Sequence, residues 1–598
     1  MEKLNKYIKD KNREISNSNY TFESLFEIIH NQDNRNFSEY MELYKVKKVS
    51  YNDFESYIKK MASYLKKNIL EPKGSYVGIL MENCHNWLAC FWGLLMIGYN
   101  PLLINAKLPL FMNNDVIKMV NCNKIVTDDS FENYKLDCDK LVLNKTIGLS
   151  EDILNENEIE KGEWANEIAI TSTATSLHIK LCVYTGKDFT HQMLNNKYIL
   201  SENKMMKKRY KGSIKQLTFL PFYHVFGLIA TYFWFAVFGR SFVFLSDYSS
   251  NTILKTIRKH EVTHVFAVPL LWHTMYKEIR KQVNGMDEKV RNKFEKGVKL
   301  SLSIQNVFPK LGQKIASKLF KEVQEKTFGP SISFMISGGG YISYDAIKTL
   351  NAIGYPLYNG YGSTEIGITS VELRNKAKHR IAWSIGKPFP SVEYKIENEQ
   401  LLVKGESICS KIYTVDGEKD IDHNEWYNTK DLANEVKGYY FVNGRTDDIY
   451  VGFNGEKINP DAIEKELHFS TLNHYVVLGL EKNNKKELAL VIEIPRNTND
   501  VILRKILLEL QDNVTNLKNM NYQLDNVYYS FDPICNVNAI KVSRKALQKL
   551  IDLKQVNLDL VKNLNLEKIK DKELLSREIC DNVKQVMANI LGKDVSGI

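Results

Sequence analysis

The sequence predicts an α/β protein with a large N-terminal domain of mostly parallel sheets and a small α+β domain at the C-terminal end. Three observations carry this. The length of 598 residues exceeds one ordinary domain. Short apolar runs of β type alternate with segments of helical periodicity over most of the chain. After about Gly444 the texture changes to a hairpin and one amphipathic helix.

The β-type runs are Ser75–Met81, Asn123–Asp129, Gln216–Phe222, Val262–Pro269 and Ser331–Gly340. Between them, Tyr51–Lys67 places apolar residues at helical spacing. In the later part, His474–Ile494 reads as two strands joined by a polar turn, and Val501–Val514 reads as an amphipathic helix. These features set expected domains at 1–444 and 445–552. A Leu-rich, charged helical tail is expected over 553–598.

Hydrophobic residues at 44% and charged residues at 25% fit a protein that buries sizeable cores. The net charge of +10 is mild for this length, and no basic arm of the nucleic-acid-binding kind is present. It reads as a lysine-rich solvated surface. Eight cysteines include no CxxC pair and no Cys/His ladder of zinc spacing, so free, mostly buried thiols and a cytoplasmic setting are expected. The first twenty residues lack a signal-peptide core. Val225–Leu245 approaches spanning length, but Gly239–Arg240 splits it; it reads as a buried helix feeding a buried strand, with no membrane span.

The chemistry concentrates in NGYGSTEIG, Asn359–Gly367, expected to follow a strand around Ile353–Leu357. Its glycines allow close approach of backbone to a ligand, Ser363 and Thr364 offer hydroxyls to phosphate oxygens, and Glu365 is a hard oxygen ligand suited to Mg²⁺. Upstream, SGGGY (Ser337–Tyr341) ends a strand in a glycine turn on which a flat base could stack.

These blocks, with PFYHVFG (Pro221–Gly227), WYNTKD (Trp426–Asp431), GRTDDIYVGFNGEKINPDAIE (Gly444–Glu464) and NAIKVSRKAL (Asn538–Leu547), resemble the adenylate-forming superfamily, in order and over roughly residues 20 to 550. That superfamily comprises acyl-CoA synthetases, aryl-acid ligases and adenylation domains, and the NGEKINPDAIE form looks most like long-chain acyl-CoA synthetases and their carrier-loading relatives. The resemblance implies ATP-dependent activation of a carboxylic acid to acyl-AMP, then transfer to a pantetheine thiol of CoA or of an acyl-carrier domain, with ATP and Mg²⁺ as cofactors. It places Gly339, Gly340 and Tyr341 against adenine and Tyr361 stacked on it, within the Asn359, Gly360, Tyr361, Gly362 segment. It gives Asp431 and Arg445 to the ribose, Thr364 to the α-phosphate and Glu365 to Mg²⁺. His224 would border the acyl pocket, Lys541 would bridge carboxylate and phosphate, and Asp447 would be the hinge about which the small domain turns.

One segment departs from the family pattern. Where the phosphate loop normally reads like TSGTTGxPKG, this chain has TSTATSLHIK, Thr171–Lys180. Both glycines are replaced, by Thr173 and Ser176, and the lysine comes one residue late. Hydroxyls of Thr171, Ser172, Thr175 and Ser176, with Lys180, are expected to bind phosphate in another loop shape; the alternative is a catalytically silent nucleotide- or acyl-binding scaffold. No Asp or Glu lies between Gln216 and Arg240, so an uncharged fatty or aromatic acid is favoured over an α-amino acid. The segment Ser576–Ile598 resembles the first helix of an acyl-carrier domain, which makes a fused carrier an expected partner.

Overall fold

The computed structural model describes residues 2–563 apart from 32–33, 106, 109, 173–178, 204, 206–212, 452–456, 473, 483–484, 521, 535–541 and 543. Two compact units meet in sequence between Thr446 and Asp447.

The first unit contains two large sheets. In one, strands Asn100–Leu103, Tyr76–Leu80, Lys124–Asp128 and Asp139–Leu143 run parallel, as expected from their continuous apolar runs. Glu167–Ser172 joins them in parallel and pairs antiparallel with Lys180–Thr185. The other sheet is parallel from Asn36–Glu42 through Ser241–Val243, Lys215–Leu217, His264–Ala267 and Phe334–Ser337 to Leu357–Ser363. From there it turns antiparallel through a flank of hairpins. Two of these close in two-residue turns, Asn398–Glu399 and Lys437–Gly438, whose four residues all have positive φ. Such turns match the right-handed twist of the flanking strands.

Tyr51–Asn68 is a helix, started by a reciprocal cap between Ser50 and Asp53. The apolar stretch from Val225 forms a helical segment, Phe226–Ala236, and then strand Ser241–Val243. Tyr232 and Phe233 are plain core: Trp92 donates its indole N–H to the Tyr232 hydroxyl at 2.9 Å, and Phe233 packs on Phe91, Trp92 and Phe189. No helix among the described residues is long and apolar enough to cross a membrane. Six cysteines among the described residues are free, five of them buried.

The second unit pairs Tyr475–Lys482 with Lys485–Glu493 as an antiparallel hairpin, adds Asn526–Ser530 in parallel, and packs helix Asp500–Asn519 through Leu503, Ile506, Leu510 and Leu517. The expected helix beyond Gln555 is corrected at its start. Asp559–Leu560 is a short strand against Tyr528 and Tyr529, because the sheet edge offers backbone partners there. Residues 564–598, including the carrier-like segment, lie outside the described residues.

Candidate functional site

The expectation of a strand around Ile353–Leu357 ahead of the motif is corrected. Helix Tyr344–Ala352 ends there, and the motif itself is the strand: Leu357–Ser363 continues into a turn and returns as Gly367–Val371. Gly362 is required by crowding. A Cβ on it would sit 2.1 Å from the Gly367 carbonyl oxygen across the hairpin, which no side chain tolerates. Gly360 lies over Ile336 and Val371, 3.0 and 3.5 Å from where its Cβ would be.

The hairpin turn delivers Thr364 and Glu365 to the ends of two strands of the other sheet. Glu365 Oε1 lies 3.7 Å from Lys180 Nζ and 3.4 Å from Ser172 Oγ. The backbone around it is fixed from both sides. Tyr184 donates its hydroxyl to the Thr364 carbonyl at 2.7 Å, and the Cys409 N–H donates to the Glu365 carbonyl at 3.0 Å. Of the three hydroxyl and lysine positions expected to meet phosphate that are described, Ser172 and Lys180 reach this cluster. Thr171 does not: it is buried in strand Glu167–Ser172 and donates its hydroxyl to the Leu103 carbonyl at 2.8 Å. Strand alternation turns neighbouring side chains to opposite faces. Thr175, with the rest of 173–178, lies outside the described residues, as does Lys541.

A second cluster forms on the same hairpin. Tyr361 donates its hydroxyl to Asp431 Oδ2 at 2.5 Å, and Arg445 reaches Asp431 Oδ1 at 3.6 Å. Asp431 and Arg445 face each other across paired strands Tyr427–Val436 and Tyr439–Arg445, so backbone register alone juxtaposes them. Burial and the Asp431 charge hold the Tyr361 hydroxyl well above the ordinary phenol range, so it stays a proton donor.

Asn359 pairs in register with Ser337, which sets the SGGGY turn beside the motif. Gly339 has φ +75 and, with Gly340, presents exposed backbone. Tyr341 packs against Trp383 at 5.5 Å between ring centroids. His224 packs against Tyr223, ring centroids 4.7 Å apart and tilted by 58°, and burial lowers its pKa to about 4, so it is neutral near pH 7. A small apolar cavity among Trp234, Phe235, Phe266, Ile336 and Val371 lies beneath the motif, bordered by the two side chains under Gly360.

Asp447 is the first residue of the second unit, in the turn Thr446–Asp448. Sequence reasoning missed Arg544 close by. Its guanidinium donates to Asp448 at 2.8 Å, to Asp461 and Glu464 at 2.6 Å each, and through Nε to the Val477 carbonyl at 2.7 Å. Its position three residues after Lys541, with carboxylates in the DDIY and NPDAIE blocks, was the available signal.

Strands thus carry carboxylates and hydroxyls into two clusters, beside exposed glycine backbone. Residues 30–410 match the family described as AMP-binding enzyme, so the chain belongs to that family, within the adenylate-forming superfamily. Among curated relatives, the 2-succinylbenzoate–CoA ligase of Bacillus subtilis (strain 168) is 23% identical over 438 residues, covering 71% of this chain and 78% of the relative. Long-chain-fatty-acid–CoA ligase 3 of Saccharomyces cerevisiae is 21% identical, covering 76% and 73%. The fold matches the o-succinylbenzoate CoA synthetase of Bacillus subtilis, solved with its acyl-adenylate intermediate, at TM-score 0.64 and 18% identity over 88% of this chain and 97% of that one. The same enzyme has been solved with ATP and magnesium ion (TM-score 0.63, 18% identity, 88% and 98% coverage).

Proposed function

We propose that the protein is an AMP-forming acid–thiol ligase that activates an uncharged fatty or aromatic carboxylic acid and passes the acyl group to a phosphopantetheine thiol of CoA or a carrier domain. The observation that carries this reading is the shared hairpin. It holds Glu365 against Ser172 and Lys180 at one end, and the Tyr361–Asp431–Arg445 cluster a few residues away.

In the first step a carboxylate oxygen attacks the α-phosphorus of ATP and pyrophosphate leaves. Two anions approach each other, so the residues must offset charge that develops in line. Lys180, Thr364 and Lys541 are assigned to the phosphates and the incoming carboxylate, and Asp431 with Arg445 to the ribose hydroxyls. Glu365 fits a Mg²⁺ ligand: a single carboxylate beside a hydroxyl leaves most positions of a hard octahedral ion to phosphates and water. When bound, the ion would neutralise phosphate charge. In the second step the thiol sulfur attacks the adenylate carbonyl, AMP leaves, and the thiol proton passes to solvent. Asp447, at the start of the second unit, is assigned the hinge between the two steps.

Neutral His224, the cavity beneath Gly360 and the carboxylate-free Gln216–Arg240 segment support an uncharged acid. The test is ATP–pyrophosphate exchange over a panel of fatty, aromatic and α-amino acids. Exchange that depends on a fatty or aromatic acid is expected. No exchange with any acid would favour the silent scaffold that Thr173 and Ser176 suggest.

A further inference from the structure

One helical hairpin concentrates positive charge. Helices Glu288–Val307 and Pro309–Leu319 carry eight basic and two acidic side chains, a net +6 of the chain's +10 in thirty-two residues. One of the two carboxylates, Glu295, is taken by Arg280. The second helix holds no acidic residue.

The helices form an antiparallel hairpin. A Cβ on Gly297 would lie within 3.2 Å of Leu319, and one on Gly312 within 2.6 Å of the Gln305 backbone. The inward faces are Val298, Ser301, Leu302 and Gln305 on one helix and Gly312, Gln313 and Ala316 on the other. The outward face shows lysines 293, 296, 299, 314 and 318. Around its tip, large apolar side chains stand in solvent: Val307 is 63% exposed, Phe308 62%, Leu300 54% and Leu311 52%. Leu300 and Val307, at i and i+7, share one stripe of the first helix; Phe308 is the link and Leu311 lies in the first turn of the second helix.

Scattered single apolar residues on a surface need no explanation, but a contiguous apolar tip bordered by one sign of charge does. We propose that this hairpin docks the enzyme on an anionic lipid surface, with Val307, Phe308 and Leu311 entering the acyl boundary and the flanking lysines meeting lipid phosphates. The combination of apolar insertion and basic flanks is what such binding requires. The projecting apolar tip favours a lipid surface over an acidic protein.

The test is sedimentation of the full chain with vesicles of phosphatidylcholine alone, or mixed in equal parts with phosphatidylglycerol, at low and high salt. Binding to the mixed vesicles, reversed by salt, is expected. Lys296→Glu, Lys299→Glu and Lys314→Glu together should weaken it by at least about tenfold, and Phe308→Ser with Leu311→Ser should also weaken it, with thermal midpoints unchanged. Absence of binding to mixed vesicles at low salt overturns the proposal. So does equal binding to both vesicle types, binding unaffected by either set of variants, or binding of an acidic carrier protein in place of vesicles.

Discussion

The two segments that flank Glu365 obey different rules. The Leu357–Val371 hairpin keeps its family's glycines because the backbone leaves no alternative: Gly362 faces a carbonyl oxygen 2.1 Å from where a Cβ would be. The Thr171–Lys180 segment has lost both of its glycines, yet its two ends, Ser172 and Lys180, still converge on the same carboxylate. The glycines of the first segment are therefore demanded by strand pairing within the protein. Glycine at the second segment, as in the family pattern it resembles, would suit close approach of backbone to phosphate. The sheet edge at Ser172 and Lys180 is kept without glycine at positions 173 and 176.

The largest effect expected from this contrast is at Gly362. Gly362→Ala forces the hairpin apart against backbone atoms that cannot move aside, and should cost about 3 kcal/mol of stability. A lowered thermal midpoint together with lost adenylate formation is expected; a wild-type midpoint would show that the crowding is relieved by a small backbone shift. A smaller effect is expected at the other segment. Thr173→Gly with Ser176→Gly should leave the midpoint nearly unchanged and shift the KM for ATP several-fold. A tighter KM would mean the present loop handicaps a standard phosphate cradle. A weaker one would mean it has its own working shape, which added backbone freedom spoils. An unchanged KM would separate the loop from ATP altogether.

Much of this arrangement was legible in the residues. Alternating apolar runs gave the parallel strands, because a strand buried on both faces is written as a continuous apolar word. The motif blocks gave the family. Three features were not legible, for physical reasons. The NGYGSTE motif was expected to follow a strand at Ile353–Leu357, whereas the motif is itself strand, where glycine lets two strands pair closely. Thr171 was given to phosphate because a hydroxyl in a motif looks available, but its face of the strand is decided by register, and the buried Leu103 carbonyl claims it. Clustering of charge on the helical hairpin could not be seen in the net +10, since it depends on which helix faces are covered. Arg544 was passed over because three carboxylates of the Gly444–Glu464 block reach it only after folding.

The central claim is that one hairpin organises ATP through Glu365 at its turn and through Asp431, held by Tyr361 and Arg445, beside it. Trapping of the acyl-adenylate with hydroxylamine, in wild type, Glu365→Gln and Asp431→Ala, tests it most directly. Removing one such electrostatic contact typically costs about two to three orders of magnitude in rate. The account predicts losses of that size in both variants, using an acid that supports exchange in the wild type, with thermal midpoints close to wild type. Wild-type-like hydroxamate formation by both variants would contradict it.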